Sequence, residues 1–467
     1  MTAVAIFGIC LSLGLLMFLA YRGINVLLLA PIMAMVAVLF SAGSPPLLLG
    51  TYTQVFMVEL GKYLAKFFPL FMLGALFGKV MDDSGAARVI AHQIATWVGQ
   101  KQAILAIVLA CGVLTYGGVS LFVVAFAVYP IAKSLFRAQN LPKRLIPGAI
   151  ALGSFTFTMT ALPGTPAIQN AIPTAYFHTT PFAAPGLGTI GGIIMFLAGT
   201  WWLNRRAAKA RAAGEGYGHH DDQAGSAEAP GALAPPSFTL ALLPIVLVLG
   251  LNFVFTSWVI PAMDTSFLAQ AKYGGVKVGA VAGVWSITLA VACATVFALV
   301  TNRSRLANPV DTLNKGTLGS MLPMLNTSSE VGYGGVIASL PAFGVVRDAM
   351  TSVTSDPVIS IAITVNVLAA ITGSASGGLS IAMASLGDYY LNLAQAAHVS
   401  PEIMHRIASM SAGGFDLMPH NGAVITLLGI CGLTHRESWF DIFVVGSLIT
   451  VFAGICVIVL NALFGTF

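Results

Sequence analysis

Two apolar stretches interrupted by proline and glycine constrain this chain most strongly. The first spans residues 160–170 (TALPGTPAIQN), where Pro163, Gly164 and Pro166 fall within four positions. Each proline removes a backbone donor and clashes with the preceding turn, so an α-helix cannot continue through the stretch. In lipid, the freed backbone groups are tolerated only where they line a cavity enclosed by protein. The first break therefore predicts a site.

A second break lies at residues 411–423 (SAGGFDLMPHNGA), again inside a long apolar segment. Two interrupted membrane segments in corresponding halves of a chain point to the binding site of a secondary transporter. One shift of 260 positions, without a gap, pairs the following residues: Gly74 with Gly334, Gly117 with Gly377, Gly118 with Gly378, Ser120 with Ser380, Gly153 with Gly413, and Phe155 with Phe415. The sequence therefore predicts an internal duplication.

Composition places the chain in a membrane. Of its 467 residues 57% are hydrophobic and 8% are charged, whereas ordinary soluble domains carry about 25% charged residues. Repeated apolar stretches near 20 residues long indicate a polytopic helical membrane protein. The basic residues are scattered among loops, which argues against a nucleic-acid partner. No nucleotide-binding loop and no metal-ligand spacing of the five cysteines occur, so we expect no cofactor and no metal.

The expected fold is all-α, with two inverted repeats that each have five transmembrane helices and one re-entrant hairpin. In the first half the predicted crossings are 2–20, 24–42, 67–81, the broken segment 145–177, and 187–203, with an interfacial arm at 51–66, an amphipathic piece at 86–98 and a hairpin at 103–136. In the second half they are 238–260, 278–301, 326–345, the broken segment 402–430, and 440–462, with a connection at 310–325 and a hairpin at 357–393. An odd number of crossings per half inverts the second repeat.

The predicted domains follow these repeats. They are a first repeat 1–203 (scaffold 1–66, transport elements 67–203), a linker 204–236, and a second repeat 237–467 (scaffold 237–325, transport elements 326–467). The polar linker holds His219 and His220, which fit a solvated loop better than a metal site. A cytoplasmic linker puts all but six of the 22 lysines and arginines inside; the six are Lys62, Lys66, Lys272, Lys277, Arg347 and Arg406. The positive-inside rule then predicts an inner-membrane protein with both termini in the periplasm.

Four elements should converge near the bilayer midplane, namely two hairpin tips and two breaks. Half-helix N-termini present free N–H groups that suit a carboxylate. The predicted substrate-binding residues are Thr115, Gly117, Gly118, Ser120, Thr165, Gln169, Asn170, Thr372, Ser374, Ser376, His420 and Asn421. Few of them are cationic, which favours a small monoanion. Small residues at the tips also fit a role in close helix packing alone, but packing does not call for a broken helix.

Ionisable residues at membrane depth are the candidates for ion coupling. Asp416 and His420 lie four positions apart beside the second break, and Glu330 lies at the start of a predicted crossing. These three predict proton coupling. Unwound carbonyls together with Asn170 and Asn421 could instead hold Na⁺, so the coupling ion stays open.

Several motifs resemble a known family. The runs YGGVSL at 116–121, LPGTPAI at 162–168 and TGSAS at 372–376 are similar to the gluconate:proton symporter family of the ion transporter superfamily. The runs LMPHNGAVIT at 417–426 and GLTHR at 432–436 look most like D-3-hydroxybutyrate permeases. Gluconate-type members have a histidine in a proline-rich first break and an acidic first hairpin tip, from which this chain departs.

The resemblance implies a homodimer with a scaffold and a mobile transport domain that works by an elevator mechanism. Together with the residues, it predicts a symporter that imports a small hydroxymonocarboxylate, first of all 3-hydroxybutyrate, with H⁺. The expected partners are that carboxylate, the lipid bilayer and a second copy of the chain. A Na⁺-coupled or gluconate/lactate carrier is the alternative within the class. A channel or an intramembrane enzyme is the alternative outside it, although no catalytic dyad supports an enzyme.

Overall fold

The computed structural model describes residues 2–22, 24–42, 45–119, 121–218, 235–345, 354–419 and 421–467. Within these ranges the regular secondary structure is helical, and they contain no strand. The predicted all-α class is therefore confirmed. The predicted site residues Ser120 and His420, and linker positions 219–234, lie outside the described residues.

The first half consists of eight helices and three single turns in the described ranges. The helices are α1 (Thr2–Tyr21), α2 (Val26–Ala42), α3 (Leu47–Asp83), α4 (Ala86–Val98), α5 (Ala103–Tyr116), α6 (Leu121–Ala138), α7 (Ile146–Ser154) and α8 (Pro185–Ala212). The turns, between α7 and α8, are Phe157–Thr160, Ile168–Ala171 and Thr174–Phe177. The amphipathic piece predicted at 86–98 is α4.

The second half has nine α-helices in the described ranges. Its helices are α9 (Phe238–Ala262), α10 (Ala282–Thr301), α11 (Pro309–Gly319), α12 (Met321–Ser339), α13 (Pro357–Thr372), α14 (Ala375–Ala396), α15 (Pro401–Ala412), α16 (Gly422–Cys431) and α17 (His435–Phe464). Moved by 260 positions, α6 covers 381–398, close to α14, and α7 covers 406–414, close to α15. The order of elements thus agrees with a duplication, while the inversion of the second copy stays a prediction.

Five helices among the described residues are long and apolar enough to cross a membrane, namely α3, α8, α9, α10 and α17. Shorter apolar helices lie within α1, α2, α5, α13 and α16. A bilayer-spanning helix needs about 20 residues, and the shorter helices suit half-depth arms and broken crossings. The chain is a multi-pass membrane protein.

The structure corrects three predicted boundaries. The interfacial arm 51–66 is not separate, because α3 runs unbroken from Leu47 to Asp83. Its polar residues are accommodated by local pairing, as in the 2.6 Å ion pair of Lys62 with Glu59. Helix α8 continues to Ala212, so the first nine residues of the predicted linker are helical. Helix α12 begins at Met321, which puts Glu330 in mid-helix rather than at the start of a crossing.

Two buried apolar clusters organise the molecule. The larger cluster joins α3 to α10 with α12 to α17, and the smaller one joins α1 and α2 to Phe56 and to residues from Tyr333 to Ala342 at the end of α12 and just beyond it. Helices α7 and α15, which precede the two breaks, are buried along nearly their whole length. The breaks are therefore enclosed by protein, as unpaired backbone in a membrane requires.

Candidate functional site

The first break is an irregular run between short helical turns. Helix α7 ends at Ser154, one turn covers Phe157–Thr160, and no helix is present from there until Ile168. Gly164 has a φ of 76°, a conformation that glycine adopts without strain. Its N–H donates to Pro181 O at 2.9 Å, so the loop bonds the segment that follows it.

The tip of the first hairpin packs on this break. Tyr116 Oη donates to Pro163 O at 2.6 Å. Gly118, with a φ of 90°, lies so close to Pro166 that an added Cβ would be 2.9 Å from its ring. From α9, Asn252 Nδ2 donates to Gly164 O at 3.0 Å. The predicted meeting of the first tip and the first break is thus present in the structure.

Asn170 is the centre of a buried hydrogen-bond network. Its Nδ2 donates to Thr165 O at 3.0 Å and to Pro181 O at 2.9 Å. Its Oδ1 accepts from Arg406 Nη1 at 3.1 Å and lies 3.2 Å from His405 Nε2. Since this amide is fully used within the protein, it holds the break in shape. Binding of substrate or Na⁺ by Asn170 stays a prediction, because both polar atoms of its side chain already have partners within the protein.

Arg406 corrects the sequence analysis, which counted it among the charges outside the cytoplasm. The residue has no exposed surface and lies in α15. Its guanidinium donates to Ala183 O from Nε at 3.1 Å and from Nη2 at 2.7 Å. These carbonyls satisfy a cation that no loop exposes, and so Arg406 does not contribute to the charge bias that sets topology.

His405 and Glu402, together with Arg406, bind α15 to residues 179–184. Thr179 Oγ1 lies 2.6 Å from His405 Nδ1, and Ala184 N donates to Glu402 Oε2 at 3.2 Å. Because Asn170 Oδ1 can only accept, Nε2 of His405 carries a hydrogen and donates to it. The imidazole is therefore held on both sides, by Asn170 and by Thr179.

The second break is tied to the start of α17. Trp439 Nε1 donates to Leu417 O at 3.0 Å, and His435 Nε2 lies 2.8 Å from Pro419 O, to which it donates. Asn421 caps α16, as its Oδ1 accepts from Ala423 N at 2.6 Å and from Val424 N at 3.1 Å. Its Nδ2 donates to Asp416 O at 2.9 Å. Asn421, like Asn170, has a structural task, and substrate binding by it stays a prediction.

The two breaks meet inside the protein. Ser409 Oγ of α15 donates to Thr160 O at 2.9 Å, which joins the end of the last turn before the first break to the helix that leads into the second. An added Cβ on Gly413 would lie 3.0 Å from Thr160 Cγ2. On the other side, Asn366 Oδ1 of α13 reaches Gly414. The second hairpin thus contacts the second break.

The tip of the second hairpin is a tight turn that caps α14. Thr372 Oγ1 donates to Leu368 O at 2.9 Å, and Gly373 takes a φ of 60°. Ser374 Oγ then accepts from Gly377 N at 3.0 Å, and Ser376 Oγ lies 3.5 Å from it. Opposite this N-terminus lies Glu330, which is 5% exposed.

Unpaired oxygens mark the polar interior. In the part of the chain that the structure describes, buried oxygens near the tips and breaks without a hydrogen-bond partner include Thr115 Oγ1, Asn252 Oδ1, Asn326 Oδ1, Glu330 Oε2, Asn366 Oδ1 and Asp416 Oδ1. Buried polar groups are nearly always paired, so such atoms indicate places where a ligand, ion or water binds. Three of them, Thr115, Glu330 and Asp416, belong to the predicted site.

The remaining predicted residues are buried but differ in what they contact. Thr165 Oγ1 accepts from Ala167 N at 3.3 Å, and Gln169 is 8% exposed within the turn that follows the break. That turn packs on α14 and α15. Gly117 lies against Ile245 of α9. The first tip therefore faces α9 as well as the first break.

Sequence reasoning missed the side chains that hold the breaks. Arg406 and His405 on α15, Asn252 on α9, and His435 and Trp439 on α17 all bond to break residues or to the segment that follows. One signal was available for α15. Glu402, His405 and Arg406 are three and four positions apart, so they share a helix face that is polar inside an apolar chain.

An ion-pair cluster anchors the entrance to the first broken helix. Arg144, just before α7, donates to Glu215 from Nε at 2.6 Å and from Nη2 at 2.8 Å. This pairing lowers the pKa of Glu215 and raises the pKa of Arg144, with the hydrogen bond as the largest cause in each case. Asp441 of α17 accepts from Arg144, at 3.4 Å, and from Arg206 of α8, at 2.8 Å. Three segments are thus joined at one point.

Comparisons with known proteins agree with this architecture. A model of the "GntP family permease" matches residues 4–464. The uncharacterized transporter YxjC of Bacillus subtilis (strain 168) is 46% identical over 470 residues, which cover 98% of each chain. The fold is similar to that of the YdaH transporter of Alcanivorax borkumensis, whose crystal structure is described as having an unusual topology. That match has a TM-score of 0.58 and 15% identity, and it covers 88% of this chain and 89% of the other.

These matches confirm the family that the motifs predicted, and they indicate a transporter rather than an enzyme. A closer relationship to hydroxybutyrate permeases stays a prediction. The chain belongs to the GntP family of permeases and is a membrane transporter.

Proposed function

We propose that this permease imports a small hydroxymonocarboxylate, with 3-hydroxybutyrate as the first candidate, together with a proton. The observation that carries the proposal is the hydrogen bond of Ser409 to Thr160 O, which joins the two broken segments inside a protein whose hairpin tips and breaks hold buried oxygens without partners. Broken helices that meet inside a membrane protein bind substrate in the known secondary transporters. A transporter needs such a polar interior for its cargo.

The charge at the junction favours a monoanion. Arg406 is a buried cation next to the first break, but its N–H groups already donate to Ala183 O and Asn170 Oδ1. Helix N-termini carry only about half a unit charge each. Such partial charges suit one carboxylate plus a hydroxyl group better than two or three carboxylates.

An elevator motion accounts for how the first break is held. Its bonds to Tyr116 and Ser409 stay within the proposed transport elements, whereas Asn252 belongs to the proposed scaffold. We therefore place the sliding surface between α9 and the first break. Helix α3 packs more on α10 and α11 of the proposed scaffold than on α12, so we assign it to the scaffold as a whole and move the proposed boundary from 66 to its end. A second copy of the chain would complete the scaffold.

Uptake into proteoliposomes tests the function. With sodium absent and the lumen alkaline, we expect labelled 3-hydroxybutyrate to accumulate, and unlabelled 3-hydroxybutyrate inside should stimulate exchange. Lactate and gluconate serve as competitors within the class, succinate as a dicarboxylate control, and protein-free liposomes as the blank. Accumulation that follows a sodium gradient at clamped pH would overturn proton coupling. Uptake that does not saturate would point to a channel.

A further inference from the structure

Glu330 and Asn326 form an unsatisfied pair on α12. They lie four positions apart and so share a helix face. Asn326 Oδ1 and Glu330 Oε2 are both buried oxygens without a hydrogen-bond partner among the described residues. A carboxylate in this position has lost its water without gaining a protein donor. It needs a proton, an ion or a ligand to be satisfied.

Glu330 points at the N-terminus of α14. An added Cβ on Gly377 would collide with Glu330 Oε2, so the carboxyl group lies directly against the first turn of α14. Helix α14 is 22 residues long, and its first turn presents N–H groups and a partial positive charge. Ser374 accepts from Gly377 N through Oγ and from Gly378 N through its carbonyl, which leaves the N–H groups of Ala375 and Ser376 available in the first turn. The carboxyl group of Glu330 thus occupies the place that a bound carboxylate would take.

The surrounding helices supply no partner charge in the described ion pairs. On α3, Glu59 pairs with Lys62, and Lys66 lies over the ring of Tyr176. The Tyr63 hydroxyl accepts from Ser380 Oγ at 3.1 Å. On α11, Asp311 pairs with Lys315. Helices α2 and α13 carry no charged residue, and Asp388 of α14 lies three turns beyond Gly377.

We propose that the N-terminus of α14 is the subsite for the carboxylate of the substrate, and that Glu330 blocks it until it takes up the coupled proton. The inference rests on the proposed function, because it assigns a place to the substrate anion. Two carboxylates at one helix end repel each other, so only one of them can be ionised there. Protonation makes Glu330 neutral, and the substrate carboxylate then takes the free N–H groups. Each monoanion travels with one proton, and transport is electroneutral.

The substitution Glu330→Gln, which resembles the protonated side chain, tests the inference. With 3-hydroxybutyrate as probe, the wild-type Kd should rise by about tenfold per pH unit at pH values above the pKa of Glu330, as linkage to one proton requires. The Kd of Glu330→Gln should not change with pH, and this variant should exchange substrate without accumulating it. Glu59→Gln is the matched control and should keep the wild-type pH dependence. A pH-dependent Kd in Glu330→Gln, or a sodium-dependent one in the wild type, would overturn the inference.

A second measurement needs no substrate and so separates this inference from the proposed function. Infrared difference spectra of the purified protein should contain a protonated-carboxyl band that titrates with pH and disappears in Glu330→Gln. If that variant does not fold, Glu330→Asp should shift the band instead. A spectrum without any band that depends on Glu330 would overturn the inference even if 3-hydroxybutyrate is transported. The band with no binding of 3-hydroxybutyrate, lactate or gluconate would support it and refute only the proposed substrate.

Discussion

The two breaks look alike in sequence but are held in different ways. The first break is bonded by both halves of the chain, through Tyr116 of its own half and through Asn252, Arg406 and Ser409 of the other. The second break is bonded by its own half, through His435 and Trp439 of α17. Both are irregular segments around a proline. The first connects the two halves of the chain, whereas the second is held by α17 of its own half.

This difference suggests a division of labour. Because the first break depends on α15 and α9, any movement of these helices changes its shape. The second break keeps its carbonyl bonds as long as α17 stays in place. A duplicated chain can in this way build one part of the site as a moving element and the other as a support. Changes to each set of bonds should therefore affect the two breaks unequally.

The largest effect is expected from Arg406→Leu. This change leaves Ala183 O and one acceptor position of Asn170 Oδ1 unpaired, at about 1–3 kcal/mol for each buried group. We expect a large loss of thermal stability in detergent. Hydrogen–deuterium exchange should rise at 161–167 and 178–184 and stay unchanged at 413–419.

Two further variants sharpen that test. Arg406→Lys keeps the charge but loses the planar fork that serves several acceptors, so it should be intermediate. The exposed Arg436 lies next to the helix start that holds the second break, and Arg436→Gln should behave as wild type. Equal exchange increases at both breaks in Arg406→Leu would contradict the division between them.

A smaller effect is expected from the same substitution made at both asparagines. A serine at position 421 can still cap α16, since Ser and Asn are comparable N-caps, so Asn421→Ser loses mainly the bond to Asp416 O and about 1 kcal/mol. A serine at position 170 cannot span Thr165 O, Pro181 O and Arg406, so Asn170→Ser should be destabilised by roughly 2–4 kcal/mol.

Thermal unfolding of the two variants, compared at one pH with wild-type protein, measures the difference. An Asn421→Ser protein that is as unstable as Asn170→Ser would mean that capping is not the main role of Asn421.

The positions of the breaks could be predicted from the sequence, but their supports could not. Pro163 and Pro419 predict a break from sequence alone, because a proline disrupts a helix at its own position. Arg406 gives only the weaker signal of a polar helix face shared with Glu402 and His405. Only the fold shows that Pro181 and Ala183 lie beside it. The unity of α3 was missed for a related reason. Considered one at a time, the charged residues Glu59 and Lys62 indicate an exposed arm. As an ion pair three positions apart, they fit a continuous helix.

The smallest effect is expected from Glu215→Gln, which weakens the ion pair between Arg144, at the entrance of the first broken helix, and the segment that follows α8. Glu215 is 41% exposed, so its pairing with Arg144 is worth little in solvent. The pairing lowers the pKa of Glu215 below its usual 4.5, and its stabilisation is therefore present above that value and lost as the pH falls through the lowered one. The melting temperature of the variant should lie slightly below wild type at neutral pH and converge with it in acid.

Asp311→Asn, at a surface pair away from both breaks, is the control for the local effect: hydrogen exchange at the start of α7 should rise in Glu215→Gln only. A rise at 413–419 as well would mean that α17 transmits the loss from the first break to the second, and the two would then be one mechanical unit.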